Sequence, residues 1–307
     1  PYPLPFRKPV QIISMYEDKY GHIWAGTFGD GLVCFNPENK KFRLFNETDG
    51  LSNGNILSIT GKNDQLWLAT LGGAYTFRIP DDPFPFSEMI EFVNYGDKHF
   101  QGNNYIYSVF IDSRNRVWFG TDGKGISVLE KGRFTQYNEA SGLRSNTVYS
   151  ITEDSDGDVW FSTSDAGIYR YNGKTFRNYS QAEGISEMGI TFLLAEKIHQ
   201  LIIVQNNGVD VLDTRTNAFK YYSGNAGLAE INPDLNVCAL ESPDKAWIGT
   251  RKGLVMLRIS DDVNKHQPLL QLSKISVFLG SENFLGEKVF RYNQNHISFH
   301  FNALWYM

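Results

Sequence analysis

The feature that most constrains this chain is a local text that recurs along it. Trp24, Trp67, Trp118, Trp160 and Trp247 each sit in the same sentence: an apolar strand, a turn, an apolar residue and Trp, small residues, Thr, a Gly-rich turn, another apolar strand. Ile202 takes the Trp slot in the one copy that lacks it, and the successive spacings are 43, 51, 42, 42 and 45 residues. A fixed period in this range marks a repeat architecture, in which one unit cannot cover its own apolar face and stacked neighbours bury it.

The fourth copy is the clearest. Val148 to Asp154 alternates and stops at Ser155-Asp156-Gly157-Asp158; Val159 to Thr163 follows, then the turn at Ser164–Gly167. Ile168 to Tyr171 runs to Asn172-Gly173, and Thr175 to Tyr179 closes the unit. Asn-Gly between alternating runs is a strong hairpin signal, so each copy reads as four short antiparallel strands. Copies one and three repeat the scheme around Trp24 and Trp118; copy two carries an insertion around Pro80–Pro85 that accounts for the long spacing. Four strands per unit near 43 residues predicts an all-β chain: a β-propeller of about six four-stranded blades, or part of a seven-bladed ring. No segment has a 3.6-residue period long enough for a helix.

The connections are regular too. Gly50-Leu51, Gly142-Leu143, Gly184-Ile185 and Gly227-Leu228 recur after each fourth strand. The Gly is expected to supply positive φ and the Leu or Ile to plug the gap between blades. The last copy lacks a clear fourth strand after Arg258-Ile259; residues 1–9 are candidates for it, although Pro1, Pro3 and Pro5 permit only an edge strand.

Charge and cysteine content exclude several classes. Net charge is -5 with Lys and Arg scattered, so no basic surface for nucleic acid is predicted. No apolar run is long enough to span a bilayer, and Pro1–Phe6 lacks the layout of a signal peptide, which leaves a cytosolic chain or one read without its leader. Cys34 and Cys238, distant in sequence and both in strand segments, read as buried thiols in preference to a disulfide, and make no zinc site.

Over about residues 10–259 the chain resembles the two-component regulator propeller repeat. The residues that carry the likeness are Tyr16-Glu-Asp-Lys-Tyr-Gly-His-Ile-Trp-Ala-Gly-Thr27 and Ile151-Thr-Glu-Asp-Ser-Asp-Gly-Asp-Val-Trp-Phe-Ser-Thr163, with the Gly-Leu-Ser-Asn type of link. The tail, Leu269–Leu272, Ile275–Phe278 and Tyr292–Tyr306, resembles the start of the Ig-like domain named for three tyrosines that follows such propellers. The expected organisation is a propeller over 1–262 and a truncated Ig-like β-sandwich over 263–307. The resemblance implies the periplasmic ligand-sensing region of a hybrid two-component sensor histidine kinase, an inner-membrane protein whose membrane segments lie outside this sequence. It also implies glycan fragments as the stimulus.

The search for chemistry returns binding surfaces in preference to catalysis. Asp154-Ser-Asp156-Gly157-Asp158 opens like a calcium loop, but Val159 stands where the loop needs Gly, so a hairpin turn is expected. His296 and His300 alternate on a strand, beside Ser298, on a solvent face; His22 sits in a turn, and His99 and His199 are expected to lack partners. No nucleophile, phosphate-loop or metalloprotease motif occurs. No catalytic residue, metal or cofactor is expected.

In a propeller the second-to-third-strand turns and the links share one face. On it fall Phe28, Asp30, Asp122, Lys124, Asp165, Asn206, Asn207, Arg251 and Lys252 from the turns, with Leu71 between them. The links add Asn53, Asn55, Tyr105, Arg144 and Asn146. Amides, charges and aromatic rings suit a ligand rich in hydroxyls, because such a ligand needs paired donors and acceptors and a stacking surface. The expected partners are an oligosaccharide and a second copy docking through the propeller or the Ig-like module. The alternatives are a scaffold propeller for dimerisation or docking and, last, a polysaccharide lyase or glycosidase.

Overall fold

Short alternating runs, cut by Gly, Asn and Asp turns, give strands. The computed structural model describes residues 10–80, 90–96, 98–100, 102–195, 199–222, 233–242, 245–250, 253–258, 269–277 and 297–304. The chain divides into two compact units, Pro1–Arg258 and Ile259–Met307.

The first unit holds six antiparallel sheets in chain order. Sheet 1 comprises β1 (Ile12–Glu17), β2 (Ile23–Thr27), β3 (Leu32–Asn36) and β4 (Lys41–Phe45). Sheet 2 is β5 (Ile56–Lys62), β6 (Gln65–Thr70), β7 (Gly73–Arg78) and β8 (Val93–Tyr95). Sheet 3 is β9 (Ile106–Ile111), β10 (Val117–Thr121), β11 (Ile126–Glu130) and β12 (Arg133–Tyr137). Sheet 4 is β13 (Val148–Glu153), β14 (Val159–Thr163), β15 (Ile168–Tyr171) and β16 (Phe176–Tyr179). Sheet 5 is β17 (Ile190–Ala195), β18 (Gln200–Gln205), β19 (Val209–Asp213) and β20 (Phe219–Tyr222). Sheet 6 has three described strands, β21 (Pro233–Ser242), β22 (Lys245–Thr250) and β23 (Gly253–Arg258). The first strands of successive sheets are neighbours, and β21 lies against both β17 and β1, so the six sheets close a ring. This is a six-bladed propeller with β1, β5, β9, β13, β17 and β21 around its axis.

The acid that precedes Trp by six residues explains the first turn of the repeat. Asp154 Oδ2 accepts from Trp160 Nε1 at 2.7 Å, while Oδ1 accepts from the backbone N–H of Asp156 and Asp158, each at 3.0 Å. Asp18 and Asp112 do the same for Trp24 and Trp118, both at 2.8 Å. One carboxylate thus closes the β-turn and holds the indole of a fully buried Trp (Trp24, Trp118 and Trp160 are 0% exposed). The calcium-loop residues are a hairpin clasp. The second turn is set by Thr: the hydroxyls of Thr27, Thr121 and Thr163 donate to the carbonyls of Gly31, Gly125 and Gly167 at 2.8–2.9 Å.

Blades meet through aromatic clusters. Trp24 packs with Phe45 and Phe77 of the next blade, Trp118 with Tyr171, and Trp67 with Phe119. Gly26 and Gly120 stand where the next inner strand comes closest. A Cβ at Gly120 would fall 2.5 Å from Ser108 Oγ and 2.7 Å from Val148 O. Three of the links make a one-turn 3-10 helix, Glu47–Asp49, Glu139–Ser141 and Gln181–Glu183, capped by Asn46, Asn138 and Ser180. The following Gly50, Gly142 and Gly184 have φ of 104°, 95° and 120°, and Leu51, Leu143 and Ile185 are buried, as the sequence predicts. Gly227-Leu228, residues 1–9 and the insertion after Pro80 lie outside the described residues, apart from Pro80 itself.

The histidine reading needs correction. His22 is buried, with Nδ1 3.2 Å from Asp18 Oδ2 and Nε2 3.2 Å from Asn36 Nδ2. His99 is not alone: its ring lies 5.0 Å from both Tyr95 and Phe134. Nor is His199, whose Nδ1 is 3.2 Å from Ser155 Oγ. An aromatic or hydroxyl partner two elements away leaves no trace in local spacing. Both cysteines are free, and burial pushes the Cys34 thiol up strongly and Cys238 up to about 12.

In the second unit β24 (Leu269–Val277) pairs antiparallel with β25 (Ile297–Leu304). The two apolar runs expected before Phe278 are one strand, bent by a register shift between Leu272 and Lys274. Ser273 Oγ donates to His300 O there, at 3.0 Å. His300 is exposed, and His296 lies outside the described residues.

Candidate functional site

Two rings of residues frame the mouth of the central channel on the link face. One follows the last residue of the second strand, Thr in blades 1 to 4 and Gln205 in blade 5: Phe28, Leu71, Asp122, Ser164 and Asn206. The other immediately precedes each inner strand: Gln11, Asn55, Tyr105 and Thr147. Backbone hydrogen bonds tie the rings together, from Phe28 N to Gln11 O, Asp122 N to Tyr105 O and Ser164 N to Thr147 O, at 3.0–3.1 Å. Because the frame is fixed by backbone, its side chains are free to vary between copies, and they do.

The mouth encloses about 480 Å3 between Gln11, Ile12, Ile13, Phe28, Leu57, Leu71, Tyr105, Tyr107 and Asp122. Phe28 and Tyr105 present about half their surface to solvent, 52% and 51%. An exposed aromatic pair over an apolar floor is a ready stacking surface. Tyr107 and Tyr149 occupy equivalent positions on adjacent inner strands, with ring centroids 5.2 Å apart. Tyr107 is hydrogen-bonded to Asp122; burial and then the Asp122 charge push its phenol up to about 12. Burial, Asp122 and Asp165 raise Tyr149 in the same way. Thr147 Oγ1 donates to Asp122 Oδ1 at 3.3 Å.

Of the residues named from sequence, Phe28, Leu71, Tyr105 and Asp122 meet at this cavity. Asp30 belongs to a separate groove of about 400 Å3 formed with Leu44, Asn46 and Thr48. Several others take part in bonds of the turns and links. Asn53 Oδ1 accepts from Asn55 N at 2.9 Å, Asn146 Oδ1 accepts from Glu139 N at 2.9 Å, and Arg144 N donates to Tyr169 OH at 2.8 Å. Lys124 caps its turn through its backbone N–H, donated to Thr121 Oγ1. Asp165 accepts from Ser164 Oγ at 3.1 Å, and Asn207 Nδ2 donates to Glu187 at 3.2 Å. Asn206 sits against Gly189, where an added Cβ would lie 2.5 Å from its Nδ2. Arg251 and Lys252 lie outside the described residues.

The sequence reading missed Tyr107, Tyr149, Leu57 and Ile13. The cause is a register shift at the head of the inner strands, between Ile12 and Ser14, Ile56 and Ser58, and Val148 and Ser150. A bulge there breaks the alternation on which inward and outward faces are assigned. The usable signal was the repeated small residue, Ser14, Ser58, Ser108 and Ser150, which marks the position next to the one that faces the axis.

The architecture defines the class, a β-propeller with a variable mouth on a constant frame. The model of one family, the two component regulator propeller, matches residues 8–29, 101–123 and 142–165. Each matched segment holds an inner strand, the turn after it and the following Trp-bearing strand of blades 1, 3 and 4. Comparison with curated proteins finds no match. Among solved structures the chain is similar to the extracellular domain of one protein described as a hybrid two component system of B. thetaiotaomicron, at 19% identity and a TM-score of 0.74, over 89% of this chain and 37% of that one. A second such domain from the same organism matches at 22% identity and 0.68, over 84% and 36%. The chain therefore spans little more than a third of either. A streptogramin B lyase shares the fold at 12% identity and 0.61, over 84% and 86%. No helix among the described residues is long and apolar enough to cross a membrane.

Proposed function

We propose that this chain is the ligand-sensing propeller of an extracytoplasmic two-component sensor, that the channel mouth is its ligand face, and that the ligand is a glycan fragment. The observation that carries the reading is the contrast between frame and mouth. The Asp–Trp clasp recurs in blades 1, 3 and 4 and the Thr–Gly turn in blades 1 to 4, whereas the residue after each second strand runs Phe28, Leu71, Asp122, Ser164, Asn206. Residue variety confined to one concave, partly aromatic surface is what recognition requires and what folding does not. The regulator-propeller matches and the likeness to sensor ectodomains support the sensory role. The β24–β25 sheet is read as the start of an Ig-like module that relays occupancy, which requires ligand affinity to differ between two arrangements of the sensor.

Binding is favoured over catalysis at this mouth. Its phenols are raised, so Tyr107 is a poorer base at neutral pH than an ordinary tyrosine, and no histidine is among the described lining residues. The test is titration calorimetry against a panel of oligosaccharides, with Phe28→Ala alongside the parent. One member is expected to bind and the variant to weaken it about tenfold, as loss of one aromatic stacking contact would. Silence across a broad panel would overturn the glycan reading.

A further inference from the structure

We infer that the channel mouth is built for a ligand presenting a protonated amine to its aromatic rings, so that among saccharides it selects an amino sugar over neutral and acidic ones. This rests on the reading of the mouth as the ligand face and adds the sign of the charge.

The argument starts from how this chain treats its other carboxylates. On the opposite face Asp112 is paired with Arg116 Nε at 2.6 Å and Asp158 with Arg170 Nε at 2.6 Å. Asp154 is filled by three N–H donors, and Asp210 by Ser186 N, Ser186 Oγ and Gln205 Nε2, each at 2.8 Å. Asp122 differs. It is half-buried on the cavity wall, and its carboxylate receives the Tyr107 hydroxyl and a longer contact from Thr147. No Lys or Arg among the described residues comes within ion-pair distance of it. An ionised carboxylate offers about four lone-pair sites, so Asp122 retains unused acceptor capacity beside the cavity.

The surroundings of that carboxylate favour a cation. Phe28, Tyr105 and Tyr107 line the same cavity, and aromatic faces attract cations through their quadrupoles. Burial and then the Asp122 charge raise the phenols of Tyr107 and Tyr149, and the carboxylate itself sets a negative local field at the cavity wall. Such a field opposes uronate or sulfate groups and is neutral toward plain hydroxyls. An ammonium gains from the carboxylate and the rings together.

Calorimetry with chitosan tetrasaccharide, chitin tetrasaccharide and tetragalacturonate tests this at a pH of about 5.5, where free amines are charged. Chitosan is expected to bind at least about tenfold tighter than chitin, which has the same backbone with its amines acetylated, and to weaken with added salt. Asp122→Asn should remove that advantage and leave chitin unchanged; Phe28→Ala, a change at an exposed ring, should weaken chitosan about tenfold. Equal binding of chitosan and chitin, or chitosan binding untouched by Asp122→Asn in a variant that melts like the parent, would overturn the inference. So would Phe28-dependent binding of an uncharged glycan with none of chitosan, and in each of these cases the ligand face would stand. Absence of binding by every glycan would remove both.

Discussion

Blade 4 and sheet 6 carry the same sentence and reach different ends. In blade 4 the acid six residues before the Trp accepts its indole N–H, and Trp160 is fully buried beneath Tyr179. In sheet 6 the same bond forms, from Trp247 Nε1 to Glu241 Oε2 at 2.6 Å, but the bond is exposed. Around it Leu254 is 74% exposed, Met256 46% and, across the seam on β1, Met15 67%. An apolar groove of about 280 Å3 runs there between Ile12–Met15, Cys238, Trp247 and Leu254. The clasp is thus a local product of the sequence, whereas burial is conferred by what packs against it. Hydrogen bonding within a repeat and packing between repeats are separable contributions.

The largest test of that separation is a pair of truncations. Trp160→Ala should cost about 3–5 kcal/mol, the range for emptying a packed aromatic site, and Trp247→Ala about 1 kcal/mol. Urea unfolding of the two variants checks it, and equal losses would break the comparison. Next come the acids. Asp154→Ala leaves an indole and two turn N–H groups without their acceptor inside a buried site, which should cost about 2–4 kcal/mol; Glu241→Ala, in solvent, should cost less than about 1 kcal/mol.

These contrasts mark what the sequence can and cannot declare. The frame was open to reading because each of its devices is local: Asp and Gly in the turn, Thr before the Gly turn, Gly-Leu in the link. Leu51 and Gly50 do what their types predict. The mouth was half open to reading. Phe28, Tyr105 and Asp122 fall at turn and link positions that topology alone sends to one face. Tyr107 and Tyr149 were hidden by the bulges, which change facing without changing composition. The side-chain carbonyls of Asn53 and Asn146 accept from N–H groups of their own loops, a partnership that local spacing does not declare.

A smaller effect sharpens the comparison at the link fasteners. Tyr75 and Tyr169 tie the residue after the link plug to the next blade with a neutral hydroxyl, partnering Ser52 and Arg144 N. Blade 5 uses the buried Asp210 on Ser186. Burial raises the Asp210 carboxyl above its ordinary value despite its hydrogen bonds. The folded state therefore holds its proton to higher pH than the unfolded state does. Stability from this group is present below the unfolded value, near 3.9, and is lost as pH rises through the raised folded value. Asp210→Asn should flatten that decline in a series of melts from about pH 4 to 7, and an unchanged slope would remove Asp210 as its source.

The smallest expected effect is the most direct probe of the open seam. Leu254 faces Met15 and Trp247 across the groove, yet most of its surface is in water, so Leu254→Ser removes little burial. Its cost should stay within about 0.5 kcal/mol. Leu51 has the same chemistry and is 0% exposed between blades 1 and 2; Leu51→Ser should cost several kcal/mol through lost contacts and a buried hydroxyl. A Leu254→Ser loss above about 2 kcal/mol would mean that sheet 6 is packed as tightly as the rest of the ring. Burial would then follow from the repeat itself, and the separation drawn between clasp and packing would fail at the one blade on which it depends.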